Sequence, residues 1–429
     1  MKKRTMMVFV VFLLCSTLVF AAGEKEEKKA EVMEVEFMNW MEQAELEGWE
    51  TIFESFKEKF PNVEFNLNSI PGGTAYQDKL KVRVMTDDAP EVFQSSVKIY
   101  FKTLCKNGFV LPLDERGKND PDFDFNDYSQ KILNAFTVDD QIYALPKDNS
   151  VMGLIYNKEM FDENGMEYPN TNWRWDDLKA AAQKLSKDTN NDGNTDVFGF
   201  ASFRMKQMWL DTLFLIGYGG PGACNYQKGD KLTIDHPENI EAFEYFREMF
   251  LEHRSAPDPS SQLNAVELFN AGKLGMMVGA THMLPGLFEG PTDFRVTMTP
   301  MNEEGDRAIT LLTSGFAVSK NARQLDTAWE VIKYLSYGEG NKILSQSSGS
   351  VPATSKYYDV FLTDEMKAIG METMLNMTEY QYARNYGKNE EEFMQEYQRL
   401  IDEVFTTKRP AGELVDKALP GLKKKFEPF

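Results

Sequence analysis

Residues 140–161 constrain this chain more than any other stretch. Two apolar runs in it, 142–145 and 153–156, have the length of strands and lack helical spacing. Between them stand Pro146, Lys147, Asp148, Asn149 and Ser150. Pro146 has no N–H to give a ladder, so a strand is expected to end there. The second run feeds an amphipathic stretch at 158–164 that Gly165 stops. Strand, polar crossing, strand and helix is the pattern of a chain that leaves one folded lobe and enters another.

The rest of the chain repeats the alternation. A strand is expected at 35–40. Trp49, Ile52, Phe53, Phe56 and Phe60 then fall on one helical face, and Pro61 ends that helix. Val63, Phe65 and Leu67 alternate with polar residues as a second strand. Leu80 and Val84 belong to a second helix, and 91–94 is a third strand. Strands that alternate with helices give a mostly parallel sheet, and ligands sit beyond the carboxyl ends of such strands. Trp40, Gln43, Gln94 and Ser95 follow strands one and three. Helices are also expected at 239–252, 325–337, 390–406 and 411–426, and strands at 296–300 and 311–318. No repeat or low-complexity linker divides the chain.

The 429 residues suffice for two or three domains. A net charge of -20 argues against nucleic acid and anionic membranes as partners. The N-terminus reads as a secretory leader over 1–22: Lys2, Lys3 and Arg4, an apolar region too short to favour a membrane span, then small residues at Ala21 and Ala22. Cys15 follows the bulky Leu14, so it reads as part of the leader and no lipid anchor is expected. The charged stretch 23–34 reads as a disordered tether. Cys105 and Cys224 could pair after export; two buried thiols are favoured, because the crossing places them in different lobes.

Asp188, Asn190, Asp192, Asn194 and Asp196, with Gly193 between, follow the spacing of a calcium loop. Position twelve, a glutamate in such loops, is Gly199. The loop is therefore either a candidate structural calcium site or an Asx-rich surface turn; no cofactor is required. Gly217, Gly219 and Gly222 match a dinucleotide fingerprint in form, but no amphipathic helix follows, so a cleft-lining loop carrying Tyr218 is expected. The histidines, His236, His253 and His282, lack zinc spacing, and no nucleophile elbow or phosphate loop is present. No pair of carboxylates is singled out for catalysis.

Three blocks carry a resemblance. Ile142-Tyr143-Ala144-Leu145-Pro146 with Leu154-Ile155-Tyr156-Asn157-Lys158-Glu159-Met160-Phe161 is the first. Phe56 to Val63 and Pro90-Glu91-Val92 lie before it. Trp175-Asp176-Asp177-Leu178, Phe269 to Val278, and Gly315 to Ser319 with Ala328 to Leu335 lie after it. Together they resemble the family 1 extracellular solute-binding proteins, the maltose-binding-protein-like receptors of ABC importers. The resemblance implies an α/β fold of two lobes, each a mostly parallel sheet flanked by helices and each discontinuous in sequence. The boundaries expected are 35–146 with 290–337 for the N-terminal lobe and 147–289 with 338–429 for the C-terminal lobe.

The resemblance implies a cleft lined by Trp40, Gln94, Ser95, Asp148, Asn149, Trp209, His282, Ser314 and Gly315, with Arg384 and Tyr386 competing for one late position; Gln43 after strand one and Tyr218 on the glycine loop join these candidates by their own placement. Loops that combine Trp and Tyr with Asp, Asn and Gln suit sugars, whose C–H faces stack on rings and whose hydroxyls need donors and acceptors. The function implied is capture of a small-molecule carbohydrate, an oligosaccharide ahead of a monosaccharide, and delivery to the permease of an ABC importer. A monomer without enzymatic activity, exported to an extracytoplasmic (periplasmic) space, is expected. The competing readings are a secreted carbohydrate-active enzyme, a calcium-dependent adhesion module, and a receptor for a non-sugar solute such as a polyol phosphodiester, an amino acid or a peptide.

Overall fold

A computed structural model describes residues 32–40, 46–70, 73–86, 88–96, 99–202, 212–225, 229–259, 261, 263–383 and 386–428. The leader and most of the tether lie outside the described residues. Among the described residues no helix is long and apolar enough to cross a membrane.

The first lobe is built on a five-stranded sheet in the order Val63–Ser69, Met33–Asn39, Val92–Ser96, Ser314–Val318, Leu145–Pro146. The first three are parallel, and Ser314–Val318 runs antiparallel to both of its neighbours. Side chains alternate across the sheet with period two, so each strand feeds two cores. Phe37, Val92 and Phe316 point to one face, under Trp49, Ile52 and Phe56 of the helix Leu46–Lys59 and under Trp329 and Ile332 of Leu325–Ser336. Met38, Phe93 and Ala317 point to the other, under Tyr76 and Leu80 of Gly73–Val84 and under Phe101 and Phe136. Each fully buried Phe stabilises the fold by roughly 1.5–3 kcal/mol, so the expected aromatic spacing of the first helix is what seats it here.

The second lobe holds a four-stranded sheet in the order Phe294–Thr297, Met152–Asn157, Leu274–Ala280, Phe198–Ser202. Every residue of Met152–Asn157 and of Leu274–Ala280 is buried, because helices cover both faces. Gly199 sits where Trp175–Leu185 crosses closest: a Cβ there would lie 1.9 Å from the Ala182 carbonyl oxygen. The tail helices Glu390–Thr406 and Ala411–Lys425 close this lobe against Pro237–Leu251.

The lobe boundaries differ from those expected at two places. Phe294–Thr297 pairs antiparallel with Met152–Asn157, so the chain stays in the second lobe well past residue 290. Glu339–Ser348 packs on Leu46–Lys59, so the first lobe extends past residue 337. Both differences share one cause. A short strand or helix has no lobe label in its sequence; its partners decide. The chain therefore crosses three times, near 147–150, 311–314 and 349–352.

Cys105 lies in the first lobe and Cys224 in the second, both buried and neither in a disulfide. Burial pushes the Cys105 thiol up to about 12, which keeps it protonated and unreactive.

The Asp188–Asp196 loop closes on itself. Asp188 accepts from the N–H of Gly193 at 2.8 Å, Asn190 from Asp192 at 2.8 Å, and Asp192 from Asn194 at 2.8 Å. Asp196 accepts from the N–H and hydroxyl of Thr189 at 2.8 and 2.6 Å, which lowers its pKa below the usual carboxylate range. The twelfth ligand position is Gly199, where the crowding against Ala182 leaves no room for a side chain. The donor set therefore fits a calcium cage poorly and fits a hydrogen-bonded turn well. Calcium at 100 times the Kd of a real site would add about 2.7 kcal/mol. We expect a melting temperature that moves by less than about 1 °C between millimolar calcium and EGTA, read by differential scanning fluorimetry.

On the interior strand Met33–Asn39, Glu36 is gripped by Arg83 with two parallel bonds of 2.6 and 2.9 Å, and Arg83 also reaches Asp88 at 2.9 Å. The bond from Arg83 holds the Glu36 carboxyl below its ordinary range. A depressed carboxyl contributes stability above its unfolded pKa and loses it as pH falls through the folded one. Arg83→Met is expected to cost roughly 1.5 kcal/mol at neutral pH and to flatten the loss of stability between about pH 5 and 3. Urea titrations across that range check both.

Candidate binding site at the interlobe hinge

Three extended segments cross between the lobes side by side. Asp148–Asn149 pairs antiparallel with Val351–Pro352. The N–H of Lys147 donates to the Ser314 carbonyl at 2.7 Å, and that of Ser150 to Leu312 at 2.8 Å. Side chains then lock the ladder. Asp148 Oδ1 accepts from the N–H of Ser314 at 3.0 Å and from its hydroxyl at 3.3 Å. Thr313 donates to the Asp148 carbonyl at 2.6 Å. Asn149 and Gln381 exchange two bonds of 3.1 and 2.7 Å. Asn341 donates to the Lys147 carbonyl at 2.7 Å, and Ser336 donates to that of Pro146. A crossing this narrow lets a few backbone torsions turn one lobe against the other while each core stays packed.

The carboxyl ends of the first sheet open on this hinge. Gln94 donates from Nε2 to the Ser314 hydroxyl at 3.1 Å, and its backbone carbonyl accepts from Tyr76 at 2.6 Å. Ser95 Oγ lies 3.2 Å from the Tyr100 hydroxyl. Burial pushes both tyrosines up, so each keeps its proton and can donate. Trp40 is half-buried at the end of its strand, edge-on to Tyr76 at 5.2 Å. From the second lobe, the exposed His282 brings Nδ1 to 2.7 Å from Ser150 Oγ. Lys147 Nζ lies 3.5 Å from Asp148 Oδ2. Trp40, Gln94, Ser95, Asp148, Asn149, His282 and Ser314 are thus gathered at the hinge and the strand ends beside it.

Three expectations need correction. Tyr386 is 0 % exposed and stacks on Phe393 in the core of the second lobe, so its ring offers no face to a solute. Tyr218 packs on Tyr245, and its glycine loop is tied down by Asn239, which bonds Gly222 at both its N–H and carbonyl. The glycines there serve close packing: a Cβ on Gly220 would meet Asn239 Oδ1 at 2.3 Å. Gly315 plays the same part, with the Leu145 carbonyl 2.8 Å and the Phe136 ring 2.9 Å from where its Cβ would stand. Gln43, Trp209 and Arg384 lie outside the described residues. Asn149 reaches the hinge, but its amide is engaged by Gln381 and works as a clamp.

Sequence reasoning misses Ser150 and Gln381 as hinge residues. Ser150 stands in plain view in the polar stretch after Pro146. Gln381 leaves no local signal, since its partner is 232 residues away. Among the described residues no three His, Cys, Asp or Glu side chains gather as a metal site.

Solved structures share this architecture. An ABC substrate-binding protein of Listeria monocytogenes in complex with cycloalternan superposes with a TM-score of 0.81 at 23% identity, over 92% of this chain and 99% of that one. The maltose-bound MalE3 of T. maritima gives 0.77 at 19% identity, over 91% and 99%. At these identities the likeness establishes the fold. In sequence, the arabinooligosaccharide-binding protein of Bacillus subtilis is 22% identical over 391 residues, 86% of this chain and 83% of that one. Residues 41–339, well over half of the chain, match the bacterial extracellular solute-binding protein family, and the protein belongs to that family.

Proposed function

We propose that this protein is the extracytoplasmic receptor of an ABC importer and that it captures a carbohydrate, an oligosaccharide ahead of a monosaccharide, between its lobes. Binding shifts the population toward closure, because a ligand held by both lobes favours the form in which both can reach it. The closed complex then docks on the membrane permease. The protein works as a monomer and leaves its cargo chemically unchanged.

The observation that carries this reading is the hinge. Two separately cored lobes meet through three bonded crossings, and hydroxyls, amides and a carboxylate are set around them. Such groups suit sugar hydroxyls, which both donate and accept. The bound carbohydrates of the structural neighbours, cycloalternan and maltose, and the arabinooligosaccharide named for the Bacillus relative support the same class. A glycoside hydrolase would need two carboxyl groups facing one another across the cleft. At the described hinge the carboxylate is Asp148, already engaged by Ser314 and Lys147.

Thermal denaturation with maltotriose, arabinotriose and monosaccharides tests this directly. A cognate sugar at 100 times its Kd should stabilise the protein by about 2.7 kcal/mol, and chromatography after long incubation should return the sugar intact. Stabilisation by no sugar would sink the carbohydrate assignment, and cleaved sugar would sink the receptor.

A further inference from the structure

Outside the three crossings, charged groups of the two lobes also meet, with the cations on the first lobe. Lys81 belongs to the helix Gly73–Val84 and Lys102 to Ile99–Lys106, and both helices bury their apolar sides in the first lobe. Facing them is the start of Glu390–Thr406, which Phe393, Tyr397 and Leu400 anchor in the core of the second lobe. Lys81 Nζ lies 3.9 Å from Glu391 Oε2 and 5.3 Å from the centre of the Tyr100 ring. Burial lowers the pKa of the half-buried Lys102, and the nearby Glu390 carboxylate pulls it back up. A second point of contact is Lys131, on the first-lobe helix Gln130–Ala135. It donates to the Thr378 carbonyl at 3.4 Å and to that of Glu379, both beside Met377 of the second core.

A groove of about 520 Å³ runs between the lobes at the first of these points, with Met85, Tyr100 and Leu104 on one wall and Asn389 and Gln395 on the other. Each lobe keeps its own core there, and charge spans the groove. Glutamates in a first helical turn suit the helix dipole, which accounts for three acids at 390–392. It does not account for lysines of the other lobe opposite two of them. Glu392, the third, bonds Lys425 of its own lobe at 2.5 Å. We infer that Lys81, Lys102 and Lys131 hold residues 378–379 and 390–391 as an ionic strap, and that this strap sets the separation of the lobes before cargo arrives.

The strap deepens the receptor reading, on which it rests, by adding an energy that the cargo does not supply. Opposite charges favour the relative position of the lobes that brings them together, and a turn at the hinge moves them apart. One exposed pair shifts an equilibrium by up to about fivefold. That is little against folding but much against a balance between two lobe positions. The Kd for a cargo scales with the fraction of protein already in the competent position. The strap therefore enters the affinity for a solute that it does not touch. Lys81 and Glu391 are partly exposed, so salt screens their attraction. Capture of an uncharged sugar thereby becomes salt-dependent.

The test uses the full mature chain with spin labels at Lys118→Cys and Lys184→Cys, exposed positions on the first and second lobes. Cys105 and Cys224 are buried and stay unlabelled. Electron–electron resonance reads the interlobe distance without ligand, and calorimetry reads the Kd for maltotriose or arabinotriose. Lys81→Gln and Glu391→Gln should each shift the ligand-free distance, and the double variant Lys81→Glu with Glu391→Lys should restore it. Glu392→Gln removes an equal charge from the same helical turn and should leave the distance unchanged. Raising salt from about 20 to 500 mM should move wild type toward the Lys81→Gln distance. The Kd should change by about two- to fivefold. It tightens if the variant moves toward the ligand-bound distance and weakens if it moves away.

A ligand-free distance that neither the variants nor salt can move overturns the strap and leaves the receptor standing. So does a Glu392→Gln protein that shifts as far as Glu391→Gln, because the acids then serve only their own helix end. A distance that shifts while the Kd stays fixed, or a Kd that moves against the distance, overturns the link to capture. If no sugar binds wild type, the carbohydrate reading falls, and the ligand-free distances still decide the strap.

Discussion

The bond network around Asp148 is the constraint on which the molecule's two-lobed form depends. Its carboxylate accepts from Ser314, its carbonyl accepts from Thr313, and its strand pairs with Val351–Pro352. Each of the three crossings would otherwise expose unpaired backbone groups in the narrow waist between the cores, and an unpaired buried group is costly. Here they satisfy one another. The reciprocal Asn149–Gln381 pair does the same for two amides that no strand could serve. The waist is thereby satisfied without a continuous core, which suits a part that must bend.

The lobes on either side are rigid for the opposite reason. Their helices bring large aromatics down onto the sheets, Trp49 and Phe56 on one, Trp175 and Phe246 on the other. Polar side chains of the hinge, Asp148, Asn149 and Ser314, gather where the strands run out. That division assigns closure to the waist and recognition to the strand ends.

Much of this architecture is legible in the residues themselves. Trp49, Ile52, Phe53 and Phe56 announce their helix by spacing, and the tail helices fall where their periodicity puts them. The polar stretch from Lys147 to Ser150 between two apolar runs marks the first crossing. The candidate site is legible in part. Asp148, Ser314 and His282 are at the hinge, whereas Tyr386 and Tyr218 are packing residues. An aromatic in a loop reads the same whether it faces a solute or a core, because its surroundings come from distant chain.

The sequence by itself determined the alternation of strand and helix and the place of the first crossing, since these follow from local periodicity and from Pro146. Only the tertiary structure decided that the chain crosses three times, that Phe294–Thr297 joins the second sheet, and which amides meet a partner and which do not. The physical reason is range. Hydrophobic periodicity acts between residues a turn or a pleat apart, whereas a strand's neighbour and an amide's partner are set by segments far away along the chain.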